Sequence, residues 1–186
     1  MRIIAGKYRG RRLRSPSSLR TRPTSDRLRE TLFNVVAPRI EGARFLDLCA
    51  GTGAVGIEAL SRAAEHVTFV DQSRKMCMLI ETNTNALKVD RGAYEIVTSE
   101  AADFLRQHFK EANDPFDLVF FDPPYSGDYE TTLKYFGGHS SRLLADEGIV
   151  LVEHFSKNSL QDQYEALKRY RVLKQGDSSL SFYRSS

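Results

Sequence analysis

The chain has 186 residues, 41% of them hydrophobic and 27% charged, with a net charge of +3, and at this length a single domain buries about 70% of the surface its unfolded chain exposes. No apolar run approaches the roughly 20 residues of a membrane span and no charged-then-apolar leader opens the sequence, so a cytoplasmic protein with no membrane partner is expected. Cys49 and Cys77 form no CxxC pair, and His66, His108, His139 and His154 show no metal-ligand spacing, which predicts neither a disulfide nor a metal.

Charge is distributed unevenly. Residues 1–29 carry ten basic side chains against one acid, Asp26, a local +9 that leaves the other 157 residues at −6. Such an arm suits a polyanion, with Arg2, Lys7, Arg9, Arg11, Arg12, Arg14, Arg20 and Arg22 as candidate phosphate contacts; the alternative is a solvated tail with no partner. Within it, Ile3 and Ile4, a turn over Gly6 to Gly10, and Leu13 predict a small hairpin. Tyr8 reads as an ordinary surface residue. "SPSSLRTRP" is a connector, giving an arm over 1–24 and a main domain over 25–186. With so few apolar residues to anchor it, loss of residues 1–14 is expected to spare the fold. In "SDRLRETLFNVVAP", Leu28, Leu32, Val35 and Val36 fall at helical spacing, with Ser25 as N-cap and Pro38 as stop.

Beyond Gly42 strands alternate with helices: strands over 44–49, 66–71, 94–98, 116–121 and 148–153, helices over 54–63, 73–88, 101–111 and 129–145. The helix over 73–88 shows Met76, Leu79, Ile80 and Leu87 on one face. A helix over 157–168 follows, and "YRVLKQGDSSLSFYR" closes the chain as a hairpin. The alternation predicts an α/β fold of the Rossmann type: a mostly parallel sheet of seven strands, helices on both faces and a C-terminal antiparallel hairpin. Cys49 falls in the first strand, as a buried small hydrophobe.

Two loops carry chemistry. "FLDLCAGTGAVGIEAL" sets Gly51, Gly53 and Gly56 between the first strand and its helix, and Asp71 ends the second strand 20 residues after Gly51, as a ribose-binding acid does in nucleotide-binding folds. Asp47 lies inside the strand before this loop. A carboxylate there repels a pyrophosphate and attracts the ammonium group of a methionine moiety; alternatively it caps the loop amides. Glu100 and the amide of Ala101 follow the third strand, where an adenine would find an acceptor and a donor. In "FDLVFFDPPYSGDY" a near-continuous apolar run stops at Asp122 and two prolines, which fix φ and hold the acid and the adjacent carbonyls rigidly at the strand's carboxyl end, where open α/β sheets bind ligands.

Asp47, the glycine loop, Asp71, Glu100 and Asp122-Pro123-Pro124-Tyr125, in this order, resemble the S-adenosylmethionine-dependent methyltransferases of the Rossmann-like class, and the Asp-Pro-Pro-Tyr element resembles the catalytic motif of those acting on exocyclic amines or amides. "RIIAGKYRGRRL", "TRPTSDRLRETLFNVV", "LDLCAGTGAVGIEALSRAA" and "FFDPPY" together are similar to the bacterial small-subunit ribosomal RNA guanine-N2 methyltransferases. The resemblance implies S-adenosylmethionine as cofactor, held by Asp47, Ala50, Gly51, Thr52, Gly53, Gly56, Asp71, Gln72, Glu100, Ala101 and Asp122, with Asp122, Pro123, Pro124 and Tyr125 catalytic and ribosomal RNA or the assembled subunit as partner; a monomer is the expectation, which the sequence itself does not fix. Cys49 stands where this family often has an aromatic residue, Ala63 where a glycine usually follows Ser-Arg, and Glu100 where Asp or Asn is usual. Asp122 and the Pro123 carbonyl would accept N–H groups of the guanine amine, and Tyr125 would stack on the base; a core or rim aromatic is the other reading of Tyr125. Methylation of adenine N6 or of a protein glutamine, a nicotinamide-dependent oxidoreductase and a non-catalytic RNA-binding module are the competing functions.

Overall fold

The computed structural model describes residues 1–16, 26–111, 114–124 and 128–185. Helix α1 (Asp26–Val36) buries Leu28, Arg29, Leu32, Phe33 and Val36 and gives way to a 3-10 turn containing Pro38. The alternating region then supplies β1 (Arg44–Leu48), α2 (Ala54–Ser61), β2 (His66–Asp71), α3 (Arg74–Leu87), β3 (Tyr94–Thr98), α4 (Ala101–Lys110), β4 (Phe116–Phe121), α5 (Tyr129–Gly138), α6 (Ser140–Leu143) and β5 (Leu144–Phe155). Strands β6 (Gln163–Tyr164), β7 (Leu167–Gln175) and β8 (Ser178–Ser185) follow. The sheet runs β3-β2-β1-β4-β5-β8-β7-β6, with β1 to β5 parallel and β8 antiparallel between β5 and β7. The strand order reverses direction between β1 and β4, and ligands bind above the carboxyl ends of such strands.

Burial on both faces explains the apolar strands. Phe45, Val67, Phe69, Leu118, Phe120 and Leu151 pack under α1, α2 and α3, while Leu46, Leu48, Val119, Phe121, Val150 and Val152 pack under α4, α5 and α6. On α3 the buried line is Cys77, Ile80, Thr84 and Leu87; Met76 and Leu79 are only half-buried at its edge.

Three expectations change. The helix over 129–145 stops at Gly138, is followed by the single-turn α6, and is a strand from Leu144 onward; the Gly137-Gly138 pair costs about 1 kcal/mol per glycine inside a helix, and Leu144 already pairs with Phe116. The helix over 157–168 is absent. Leu160, Tyr164 and Leu167 all enter the core at a spacing that suits a helix, but they do so from a tight β6–β7 reversal in which Glu165 takes a φ of 51° and Tyr164 pairs with Leu167. This reversal adds an eighth, two-residue strand to the seven expected. Finally, β1 ends at Leu48, so Cys49 lies outside the strand, with a φ of 62° and partial exposure.

The basic arm is tied to the body. Its hairpin closes with Ile3 N–H donating to Arg11 O at 3.0 Å and Gly10 N–H donating to Ile3 O at 2.9 Å, and Ile3 and Leu13 are buried among α1 and α2. The Glu58 carboxylate, fully buried on α2, accepts from Ile4 N at 2.8 Å, Ala5 N at 3.0 Å and Arg62 Nε at 2.8 Å. Lys7 N donates to Ser61 O at 2.7 Å, and Arg14 N donates to Asn83 Oδ1 at 2.8 Å. Gly6, at φ 79°, passes so close to α2 that a β-carbon would stand 1.7 Å from Ser61 O. Ser25, Arg20 and Arg22 lie outside the described residues.

Candidate active site

At the switch point a cavity of about 1050 Å³ opens above the carboxyl ends of the strands, lined by the β1–α2 loop, the ends of β2, β4 and β5, the start of α4, and Met1, Ser15 and Pro16 of the arm. The loop is shaped by its own backbone: Ala50 N donates to Val70 O at 2.9 Å, Gly53 N donates to Ala50 O at 2.8 Å, and Gly51 and Gly53 take positive φ values of 54° and 74°. At Gly56, where α2 crosses the sheet, a β-carbon would stand 2.3 Å from the Phe69 ring. That contact brings the first turn of α2 down onto the strand ends.

The acids are arranged in tiers. Asp47, 1% exposed, accepts from Gly56 N through Oδ2 at 2.9 Å. It caps an amide of α2, as the second reading of this residue expects, and it also lines the cavity. Burial pushes its pKa up to about 7, opposed by the Gly56 hydrogen bond and reinforced by the charge of Asp71. Helix N-termini commonly attract phosphate; here that position is taken by a carboxylate, which leaves an anionic ligand no favourable place.

Above it, Asp71 accepts from Gly51 N through Oδ2 and from Ser73 N through Oδ1, each at 2.8 Å. Each carboxylate oxygen has a second lone pair, so Asp71 is oriented by the protein and retains acceptor capacity toward the cavity. Glu100 occupies the N-cap position of α4 without a side-chain capping bond and is exposed, and Gln72 and Ala101 also line the cavity. On the other side, Asp122 N donates to Leu48 O at 3.3 Å, which carries the β1–β4 ladder one residue past Phe121 before Pro123 ends it. Pro123 is buried, Pro124 exposed and Asp122 half-buried. The cavity thus contains Asp47, Ala50, Gly51, Thr52, Asp71, Gln72, Glu100, Ala101, Asp122, Pro123 and Pro124. Gly53 and Gly56 shape the loop from outside the lining, and Tyr125 falls outside the described residues.

Cys49 reports on this field. Its thiol is pushed up to about 12, first by burial and then by Asp71, Asp122, Asp47 and Glu100 in that order. A thiol so held is no nucleophile at neutral pH. The same convergence of carboxylates on a half-enclosed space favours a ligand with positive charge at its centre.

Glu153, 5% exposed on β5, lines the same cavity and was missed by the sequence reading; its signal was an acid inside the otherwise apolar "IVLVEHF". Thr131 and Thr132 at the start of α5 were missed as well. The arm borders the mouth through Met1, Ser15 and Pro16; Arg2, Lys7, Arg9, Arg11, Arg12 and Arg14 are all exposed along it, with Lys7 and Arg11 bonded at the far ends of α2 and α3. Arg2 Nε stands 3.9 Å from Asp26, and Arg11 Nη2 donates to Ala86 O at 3.4 Å. Among the described residues no group of His, Cys, Asp and Glu is arranged to hold a metal, and no helix is long and apolar enough to cross a membrane.

Residues 1–184 match the family described as Conserved hypothetical protein 95. The Escherichia coli protein named ribosomal RNA small subunit methyltransferase D is 42% identical over 161 residues, 86% of this chain and 77% of that protein. The solved structure of yhhF from Escherichia coli superimposes with a TM-score of 0.86 at 37% identity, covering 100% of this chain and 98% of that one. A structure of the SAM-dependent methyltransferase from Agrobacterium tumefaciens, 16% identical with a TM-score of 0.66 over 89% of this chain and 63% of that one, shares the fold.

Proposed function

Because the chain belongs to the Conserved hypothetical protein 95 family and is similar over most of its length to the small-subunit methyltransferase D of Escherichia coli, we propose that it is a cytoplasmic, S-adenosylmethionine-dependent RNA methyltransferase that modifies the exocyclic N2 amine of a guanine in small-subunit ribosomal RNA. The observation that carries this reading is Asp122, fixed at the end of β4 by its backbone bond to Leu48 and by Pro123, on the wall of a cavity whose other acids favour a cation.

The residues present fit the cofactor. Asp71 offers acceptor capacity to the hydroxyls of a ribose; Glu100 and the amide of Ala101 suit the amino group and ring nitrogen of an adenine; the loop from Ala50 to Gly53, with Gln72 beside it, forms the floor; and Asp47 disfavours a phosphate where a methionine ammonium is favoured. When bound, S-adenosylmethionine would supply the electrophilic methyl group and leave as S-adenosylhomocysteine, the methylated amine losing one proton to water.

The chain's own residues then act on the base. A guanine N2 lone pair is delocalised into the ring and is a weak nucleophile. Asp122 and the Pro123 carbonyl accept its N–H hydrogens, which localises the lone pair and aims it; acceptors held in place before the reaction cost no reorganisation during it. Tyr125 stacks on a base that is unpaired or flipped into the cavity. The exposed arginines and Lys7 of the arm, together with Arg20 and Arg22, hold phosphates and position the RNA without reading its sequence.

The test is transfer of tritiated methyl from S-adenosylmethionine to small subunits from a strain lacking the enzyme, followed by nucleoside analysis. N2-methylguanosine is expected. Label in N6-methyladenosine, or none in RNA, overturns the assignment.

A further inference from the structure

We propose that Glu153 is the specificity residue that reads guanine, its carboxylate accepting the N1–H of the base whose neighbouring amine Asp122 holds. The inference rests on the guanine-N2 reading above. Phe121 pairs in register with Val152, so Asp122 and Glu153 follow at the same level on adjacent strands, which lie about 4.8 Å apart. Both line the cavity, and Glu153 is 5% exposed. Its Oε1 accepts from Ser178 Oγ at 3.2 Å, and Ser178 belongs to β8, on the side of β5 away from β4. The carboxylate is therefore steadied from behind, within the row that ends in Asp122.

Two acceptors side by side complement two donors side by side. Guanine presents that pattern, N1–H next to the N2 amine, whereas adenine presents an N1 lone pair next to its N6 amine. A carboxylate facing N1 attracts the first base and repels the second, and it turns the guanine so that the amine faces Asp122.

The probe is 2-aminopurine, which keeps the C2 amine, replaces N1–H with a lone pair and carries C–H in place of the C6 carbonyl, so that the change of preference in a Glu153 variant is what isolates the N1 contact. Small subunits are assembled on ribosomal RNA carrying either guanosine or 2-aminopurine riboside at the nucleotide the parental protein methylates, and kcat/KM is measured on each. A site built on this donor–acceptor match should prefer guanine by about 10- to 100-fold. In Glu153→Gln, whose amide can donate to the N1 lone pair, that preference should shrink by about tenfold or more, while S-adenosylmethionine affinity and Tm stay near parental. A purely structural role for Glu153 would slow both substrates alike and leave the ratio unchanged. Equal use of the two bases by the parental protein overturns the inference even if the variant fails to fold; a folded variant with the parental ratio overturns it too. If the parental protein methylates no guanine N2 of the small subunit, the functional reading itself is overturned, before the two bases are compared.

Discussion

One carboxylate, that of Asp122, carries the proposed chemistry at the base. Asp122→Ala keeps the β4 end, since the backbone bond to Leu48 and Pro123 remain, so cofactor affinity should change by no more than a few fold. Methyl transfer should fall by about 10²-fold or more, the scale of removing one preorganised polar group; a variant turning over at half the parental rate would remove Asp122 from the mechanism. Asp47 makes a pH prediction. Its folded pKa lies near 7, above the usual value of about 3.9, so between those limits the folded state holds a proton the unfolded state has lost. Its contribution to stability is therefore greatest at low pH and declines as pH rises toward 7, and Asp47→Asn should flatten the Tm profile over that window. A cationic ligand near Asp47 favours the ionised form, so S-adenosylmethionine affinity should rise from pH 5.5 to 8 by calorimetry, and the rise should disappear in Asp47→Asn. Asp47, Asp71 and Asp122 were legible because each interrupts or ends an apolar strand. The place of Cys49 is not legible because its left-handed φ leaves no mark in a run of strand composition, and that of Glu153 is not because its neighbour across the sheet is fixed by pairing, not by sequence.

The elements show the same division. Strands β1, β2 and β4 were readable because burial on both faces leaves largely apolar runs between turn residues, and the edge strand β3, only partly buried, was readable from its β-branched residues and its place in the alternation. The segment over 157–168 was not, because Leu160, Tyr164 and Leu167 reach one core from a chain reversal, and a spacing of three to four residues does not separate that from a helix. The arm is the instructive case. Read from composition it is removable, yet Glu58 is fully buried and accepts two amides from Ile4 and Ala5. Deleting residues 1–14 strips those donors and uncovers the core under Ile3 and Leu13, and a buried acceptor left unsatisfied costs about 1–3 kcal/mol. The truncated protein should melt well below the parent or fail to fold; a truncation with parental Tm would mean the packing of the arm contributes nothing. Replacing the exposed Arg9, Arg12 and Arg14 by alanine leaves those backbone bonds intact and is the cleaner probe of RNA binding.

Across the whole molecule, charge separates two binding tasks. The cavity gathers carboxylates around a space suited to a cation, while the arm, which borders its mouth through Met1, Ser15 and Pro16, is the most positively charged stretch of the chain, with ten basic residues against one acid over residues 1–29. On the proposed function, an acidic body repels phosphates except where the arm intervenes, and only a base, which carries no charge, would enter the cavity. The two tasks should therefore respond differently to salt. Phosphate contacts release counterions, and six to ten of them cost about 10³- to 10⁵-fold in affinity between 50 and 200 mM salt; a cofactor within a half-enclosed cavity is screened far less. Subunit affinity should fall steeply over that range while S-adenosylmethionine affinity changes by no more than about threefold, as expected for a ligand shielded from the ionic atmosphere. In the Arg9, Arg12 and Arg14 triple variant, the slope of log affinity against log salt should lose about 2 to 3 units, at 0.7 to 0.9 per contact, with the cofactor isotherm unchanged. Parallel slopes for parent and variant would move the RNA-binding surface from the arm to the body, and a cofactor affinity as salt-sensitive as that for RNA would show that the cavity is open to solvent ions throughout.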